Sequence, residues 1–130
     1  MPDKRDVVQD WFARGEDDLN MVRIAFPAGG PAATSAFLLQ QAAEKYLKGY
    51  LISKGWRLRK THSLTALIEV AVNYDASFGN YANLAHLLTA FYVESRYPGQ
   101  AETKYSREEV ARILEQTEKL ISKIRDSVEH

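Results

Sequence analysis

Two short segments of the sequence combine positive charge with aromatic rings, the side chains that recognise phosphate groups and bases. The first contains four cations, a tryptophan and a histidine within nine residues: Lys54, Trp56, Arg57, Arg59, Lys60 and His62. This composition is typical of a nucleotide or RNA contact. The alternative is structural: the cations offset the dipole of a preceding helix, and the tryptophan covers the core.

The second segment is centred on Arg96, which precedes Tyr97 and Pro98. The proline ends the helix predicted before it, so Arg96 lies at the end of that helix, with Tyr92 one turn earlier. A guanidinium at such a place can bind a phosphate group through two hydrogen bonds. In the alternative interpretation, Arg96 bonds the last free carbonyl groups of its own helix.

A polar stripe follows a predicted helix in the first half of the chain. Its members recur at helical spacing: Gln41, Glu44, Lys45 and Lys48. Such a stripe is typical of a solvated face with ion pairs. It could instead line a groove between helices, where Glu44 and Lys48 would contact a ligand.

The residue types exclude several kinds of chemistry. The chain has no cysteine, so disulfides and thiolate nucleophiles are absent. The three histidines, at positions 62, 86 and 130, lack the spacing of a metal site. Glycine-rich phosphate loops, dinucleotide turns and the serine nucleophile elbow do not occur. We therefore expect neither a metal nor a cofactor, and we find no DNA-specific motif.

Length and charge indicate an ordinary globular protein. With 130 residues the chain is predicted to form one domain, residues 1–130. Seventeen basic and seventeen acidic residues give zero net charge, which argues against a globally basic nucleic-acid coat but allows a local basic patch. No secretory signal and no run of 18 apolar residues occurs, so we expect a cytoplasmic protein without membrane contact.

Apolar residues recur every three or four positions, which predicts helices at about residues 3–26, 33–54, 64–74 and 78–96. A fifth follows the capping box that starts at Ser106, and Asp3 and Ser63 are expected to cap the first and third helices. Strand patterns are nearly absent. The predicted fold is all-α, an up-and-down four-helix bundle with one additional short helix.

Several short segments, in this order and spacing, resemble the HEPN domain family, whose name stands for higher eukaryotes and prokaryotes nucleotide-binding. They are Trp11 and residues 16–19 (EDDL), 40–48 (QQAAEKYLK), 52–55 (ISKG), 60–64 (KTHSL) and 92–98 (YVESRYP). The resemblance implies a helical bundle and a homodimer with a cleft near its interface. It also implies a small nucleotidyltransferase as partner in a toxin–antitoxin-type system.

Many prokaryotic members of that family are metal-independent endoribonucleases whose motif is Arg, four to six residues, then His. Arg96 stands where the arginine is expected. The positions for the histidine, 101–103, hold Ala, Glu and Thr. Loss of an acid–base group lowers the rate by a factor of about 100 to 10,000, whereas phosphate binding can survive it.

The sequence therefore favours a homodimer that binds a nucleotide or RNA. The residues expected to do so are Arg96, Tyr97, Tyr92, Lys60, Arg59, Arg57, Lys48 and Glu44. The first alternative is an endoribonuclease in which His62 and Arg96 form the catalytic pair. The second is a structural dimerisation module that pairs through the apolar surface of Phe37, Tyr46 and Tyr50.

Overall fold

The computed structural model describes residues 3–96 and 106–128, with the backbone alone for residues 92–96. Its helices are α1 (Lys4–Ala25), α2 (Ala32–Ser53), α3 (Leu64–Val72), α4 (Ala82–Arg96) and α5 (Arg107–Val128). A 3₁₀ helix, Ala76–Tyr81, precedes α4. The described residues contain no strand. The all-α prediction, with four long helices and one short one, is therefore confirmed.

The helix ends follow local chemistry that the sequence already indicates. Asp3 accepts a hydrogen bond from the Asp6 amide at 2.9 Å, and Ser63 accepts one from the Ala66 amide at 3.2 Å. The Ser106 hydroxyl accepts from the third amide of α5 at 3.1 Å. After α2 the chain turns at Gly55 with a φ of 96°, which glycine adopts without strain.

The fourth predicted helix is interrupted where the sequence indicated one continuous element. Asp75 accepts hydrogen bonds from both the amide (2.9 Å) and the hydroxyl (2.7 Å) of Ser77. These bonds, together with the ion pair to Lys123, lower the pKa of Asp75 to about 2. The amide of Phe78 then bonds the Asp75 carbonyl, so the chain closes a tight 3₁₀ turn first. The α-helix begins only at Ala82.

Helix α2 is the central element, because it packs against α1, α3, α4 and α5. Tyr46 and Tyr50 are fully buried inside this arrangement. The second alternative, an external dimerisation surface with Phe37, is therefore wrong for Tyr46 and Tyr50: their rings pack on Phe12 and Phe78 of the same chain. Periodicity identified α2 as apolar but could not show that neighbouring helices cover nearly its whole circumference.

Two glycines leave room for aromatic rings where α1 packs against α2. A Cβ atom on Gly15 would lie 2.8 Å from Cδ2 of Tyr46, and one on Gly49 would lie 2.7 Å from Cε1 of Phe12. Gly15 weakens α1 as an isolated helix, but it makes room for an aromatic ring. Among the described helices, none is both long and apolar enough to cross a lipid bilayer.

Candidate functional site

Four polar side chains meet beside the middle of α2, and we call them the Glu44 cluster: Gln40, Glu44, Lys48 and His62. Three of them lie one turn apart on α2, and His62 comes from the segment 54–63 that joins α2 to α3. The side chains of Glu44 and Lys48 are only 5% and 6% exposed. A buried charged pair of this kind needs a full set of hydrogen bonds to be tolerated.

Both carboxylate oxygens of Glu44 have partners. Oε2 accepts from Nζ of Lys48 at 3.0 Å. Oε1 accepts from Nε2 of Gln40 at 3.1 Å and lies 3.0 Å from Nδ1 of His62. The Lys48 ammonium also lies 5.7 Å from the ring centroid of Trp11, which adds a cation–π interaction. The buried carboxylate therefore faces three nitrogen atoms.

His62 is fixed at two points. Its ring meets Glu44, and its main-chain carbonyl accepts from Nε2 of Gln40 at 3.1 Å. Gln41 donates to Oε1 of Gln40 at 2.5 Å, which sets the orientation of the Gln40 amide. The His62 side chain is nevertheless 54% exposed, so a ligand can reach the ring. A carboxylate that orients an imidazole is a recurring arrangement in acid–base sites.

The first residue of α3, which directly follows the segment 54–63, is bonded to α4. The amide of Leu64 donates to Oγ1 of Thr89 at 3.2 Å, and that hydroxyl donates to the Ala85 carbonyl at 2.8 Å. Arg96 comes seven residues after Thr89 and is the last residue of α4 within the described part of the chain. Seven residues are two helical turns, so the Cα atom of Arg96 lies on the same side of α4 as that of Thr89, roughly 10 Å farther along the axis.

The three cations predicted to contact a ligand from the segment 54–63 are exposed: Arg57, Arg59 and Lys60. No salt bridge joins them to another residue in the described part of the chain. Trp56 is partly buried against the core, in agreement with the structural interpretation of that residue. The side chains of Tyr92 and Arg96, and Tyr97 entirely, lie outside the described residues.

The polar stripe of α2 is divided between two surroundings. Lys45 pairs with Asp18 of α1 at 2.6 Å. Glu44 and Lys48 are buried against each other, so neither lies on a solvated face or is openly exposed in a groove. Two further members of the site were missed: Gln40, whose spacing of four to Glu44 was a usable signal, and Thr89, for which the sequence carries none.

A second group of polar side chains links α1, α2 and α5. The Tyr46 hydroxyl donates to Oε2 of Glu16 at 2.6 Å, and Arg125 donates to both residues. Burial, followed by the hydrogen bond to Glu16, raises the pKa of Tyr46 to about 12, although Arg125 opposes this. Burial would raise the pKa of Glu16, but hydrogen bonds from Tyr46 and Arg23 lower it overall.

The chain is similar to one protein family and to two solved structures. The family model of the HEPN domain matches the sequence over residues 8–127. The crystal structure of ST0689, an archaeal HEPN homologue, is 27% identical, with 93% of this chain and 97% of that chain covered and a TM-score of 0.74. The crystal structure of TT1696 from Thermus thermophilus is 24% identical, with 92% of this chain and 97% of that chain covered and a TM-score of 0.78. None of the curated proteins matches the chain.

Proposed function

Because the chain belongs to the HEPN domain family, we propose that it is a homodimer that binds the phosphate groups of a nucleotide or RNA. The ligand would lie between the segment 54–63 and the C-terminal end of α4. Arg96 would bind a phosphate group, with Tyr92 and Tyr97 beside it. Arg57, Arg59 and Lys60 would contact the neighbouring backbone.

One observation carries this proposal: the cationic segment ends at a point that is fixed to both α2 and α4. Gln40 holds the His62 carbonyl at 3.1 Å, and Thr89 holds the Leu64 amide at 3.2 Å. Cations on a segment with a fixed end lose less conformational entropy on binding than cations on a free loop. The backbone of α4 places the Cα atom of Arg96 about two turns beyond Thr89, and this supports a ligand site shared by the two elements.

The charge distribution supports the same conclusion. The chain is neutral overall, with 17 residues of each sign. The cations at positions 57, 59 and 60 thus form a local excess of positive charge. Because they are exposed, they can contact the phosphate backbone of a bound RNA. Glu44 and Lys48 are too buried to contact an RNA strand directly, so we assign them an indirect part that acts through His62.

The proposed partners rest on the family resemblance. It supports a homodimer whose cleft holds the ligand, and a small nucleotidyltransferase that acts together with this chain in a toxin–antitoxin-type system. The reading frame beside the gene is where such a partner would be found. The proposed site residues of one protomer all come from α2, the segment 54–63 and α4. In the proposed homodimer, each protomer would contribute these three elements to one side of the cleft.

We expect Arg96→Ala to raise the Kd for single-stranded RNA or ATP about 10- to 100-fold, because a charge-assisted hydrogen bond to phosphate is lost. Fluorescence anisotropy with labelled ligand at two salt concentrations measures this. Neutralising positions 57, 59 and 60 together should weaken the dependence of RNA binding on salt. We expect the slope of log Kd against log salt concentration to fall by about 0.7 for each lost phosphate contact. Arg14→Ala is the control, since Arg14 is exposed on α1 and pairs with Asp10. Equal binding by the wild type and Arg96→Ala would refute the proposal.

A second candidate function, metal-independent endoribonuclease, is favoured by the 3.0 Å contact between His62 and Glu44. The His62 imidazole would take the proton of a ribose 2′-hydroxyl, and the 2′-oxygen would form a bond to the adjacent phosphorus. The bond from phosphorus to the 5′-oxygen would break, that oxygen would take a proton from water, and the His62 imidazolium would then return its proton to the solvent. The products are a 2′,3′-cyclic phosphate and a 5′-hydroxyl, and Arg96 would stabilise the charge on the phosphate.

For this candidate we expect RNA cleavage in the presence of a chelator, with His62→Ala slower by a factor of about 100 to 10,000. Arg96→Ala should abolish the activity, and His86→Ala, at an exposed position of α4, should leave it unchanged. Gel analysis of end-labelled RNA gives the rates and the chemistry of the ends. Normal growth of a bacterial host that expresses the protein alone, together with intact RNA in vitro, would exclude this candidate.

A further inference from the structure

We propose that Glu44 is the positioning residue of His62, which it holds in the tautomer with the proton on Nδ1 so that Nε2 is the proton-accepting nitrogen. Its consequence for RNA rests on the endoribonuclease candidate. The tautomer itself does not, because it follows from the contacts within the Glu44 cluster.

The proton assignment follows from the donor and acceptor inventory of the two groups. Glu44 is paired with the Lys48 ammonium at 3.0 Å, so it acts as a carboxylate, which can only accept hydrogen bonds. Its Oε1 lies 3.0 Å from Nδ1 of His62. A neutral imidazole carries one N–H, and placing it on Nδ1 leaves the lone pair on Nε2. The opposite tautomer would set a lone pair against the buried carboxylate.

The carboxylate cannot easily turn away from the ring. Its Oε2 is held by Lys48, and its Oε1 also accepts from Gln40 at 3.1 Å. Gln40 donates at the same time to the His62 carbonyl. One side-chain amide therefore holds both the Glu44 carboxylate and the main chain of His62. The side chain of Glu44 is 5% exposed, and water therefore competes little for its oxygens.

This arrangement separates the two tasks of an acid–base site. Glu44 is buried and does not touch the ligand, so it sets the tautomer and orientation of the ring. The His62 side chain is 54% exposed, so a ligand can reach its ring. In the endoribonuclease candidate, Nε2 would receive the 2′-hydroxyl proton, and Glu44 would stabilise the imidazolium that forms.

Long-range ¹H–¹⁵N correlation spectra of the ¹⁵N-histidine-labelled protein test the assignment under conditions in which the imidazoles are neutral. We expect the Nδ1–H tautomer to dominate at His62 in the wild type. In Glu44→Gln the ratio should invert, because Lys48 takes the amide oxygen and the amide NH₂ then faces Nδ1. His86, exposed on α4, is the internal reference and should not change.

If Glu44→Gln does not fold, Glu44→Leu combined with Lys48→Met removes both charges, and His62 should then approach the tautomer ratio of His86. A dominant Nε2–H tautomer in the wild type overturns the inference. So does an unchanged ratio in a folded Glu44 variant. An Nδ1–H tautomer in a protein that cleaves no RNA would leave the inference standing and refute the endoribonuclease candidate alone, so the two failures are distinguishable.

Discussion

Replacing Glu44 by leucine is expected to lower the free energy of unfolding by about 3–5 kcal/mol, because it leaves the buried Lys48 ammonium without its carboxylate. Lys48 is only 6% exposed, so water cannot take the place of the lost partner. The double substitution introduced above, Glu44→Leu with Lys48→Met, should recover most of the loss, since no charge then remains buried. Urea denaturation followed by far-UV circular dichroism measures both variants.

The chain offers a matched control for this experiment. Glu115 and Lys119 have the same spacing of four residues on α5, but their side chains are 70% and 67% exposed and lie 3.5 Å apart. Glu115→Leu should therefore change the stability by no more than about 0.5 kcal/mol. An equal loss in Glu44→Leu and Glu115→Leu would show that burial of the Glu44 pair has no energetic consequence.

Raising the pH from about 10 to about 12 is expected to remove about 2–3 kcal/mol of stability through Tyr46 alone. Its pKa is 10.0 in the unfolded reference and about 12 in the fold, raised by burial and by the hydrogen bond to Glu16. The unfolded chain therefore loses this proton first as the pH rises. The contribution is complete below pH 10 and is lost as the pH passes through the folded pKa.

The comparison with Tyr46→Phe isolates this effect from the titration of other groups. Phenylalanine keeps the contact with Phe12, whose ring centroid is 5.0 Å away, but has no proton to lose. Urea unfolding at a series of alkaline pH values should show that the stability advantage of the wild type over Tyr46→Phe narrows. A difference that stays constant across this range would contradict the raised pKa.

Much of the fold could be predicted from the sequence because its signals are local. The caps at Asp3 and Ser63 act over three residues, and the apolar period acts over a few turns. The 3₁₀ helix was missed because the conformation at its start also depends on a contact that is distant in the sequence. Its start depends on Asp75, which bonds Ser77 nearby but is also paired with Lys123 of α5, 48 positions away.

The candidate site was predictable in its residue types and less so in its arrangement. The pattern identified Glu44, Lys48 and His62, but it assigned the first two to a solvated face or to a groove between helices. Their burial depends on Trp11 of α1, on Gln40, and on the course of the segment 54–63. The contact between Glu44 and His62 spans 18 positions, and no periodic pattern reports a contact across an irregular segment.

The attachment of the segment 54–63 has a consequence for how this site can diversify. Gln40 bonds the main-chain oxygen of residue 62, which every amino acid possesses, and Thr89 bonds the main-chain nitrogen of residue 64. Neither bond depends on the imidazole. The side chain at position 62 can therefore be replaced by one of different reactivity while the main chain around it keeps its geometry. New chemistry can evolve there without rebuilding the bundle.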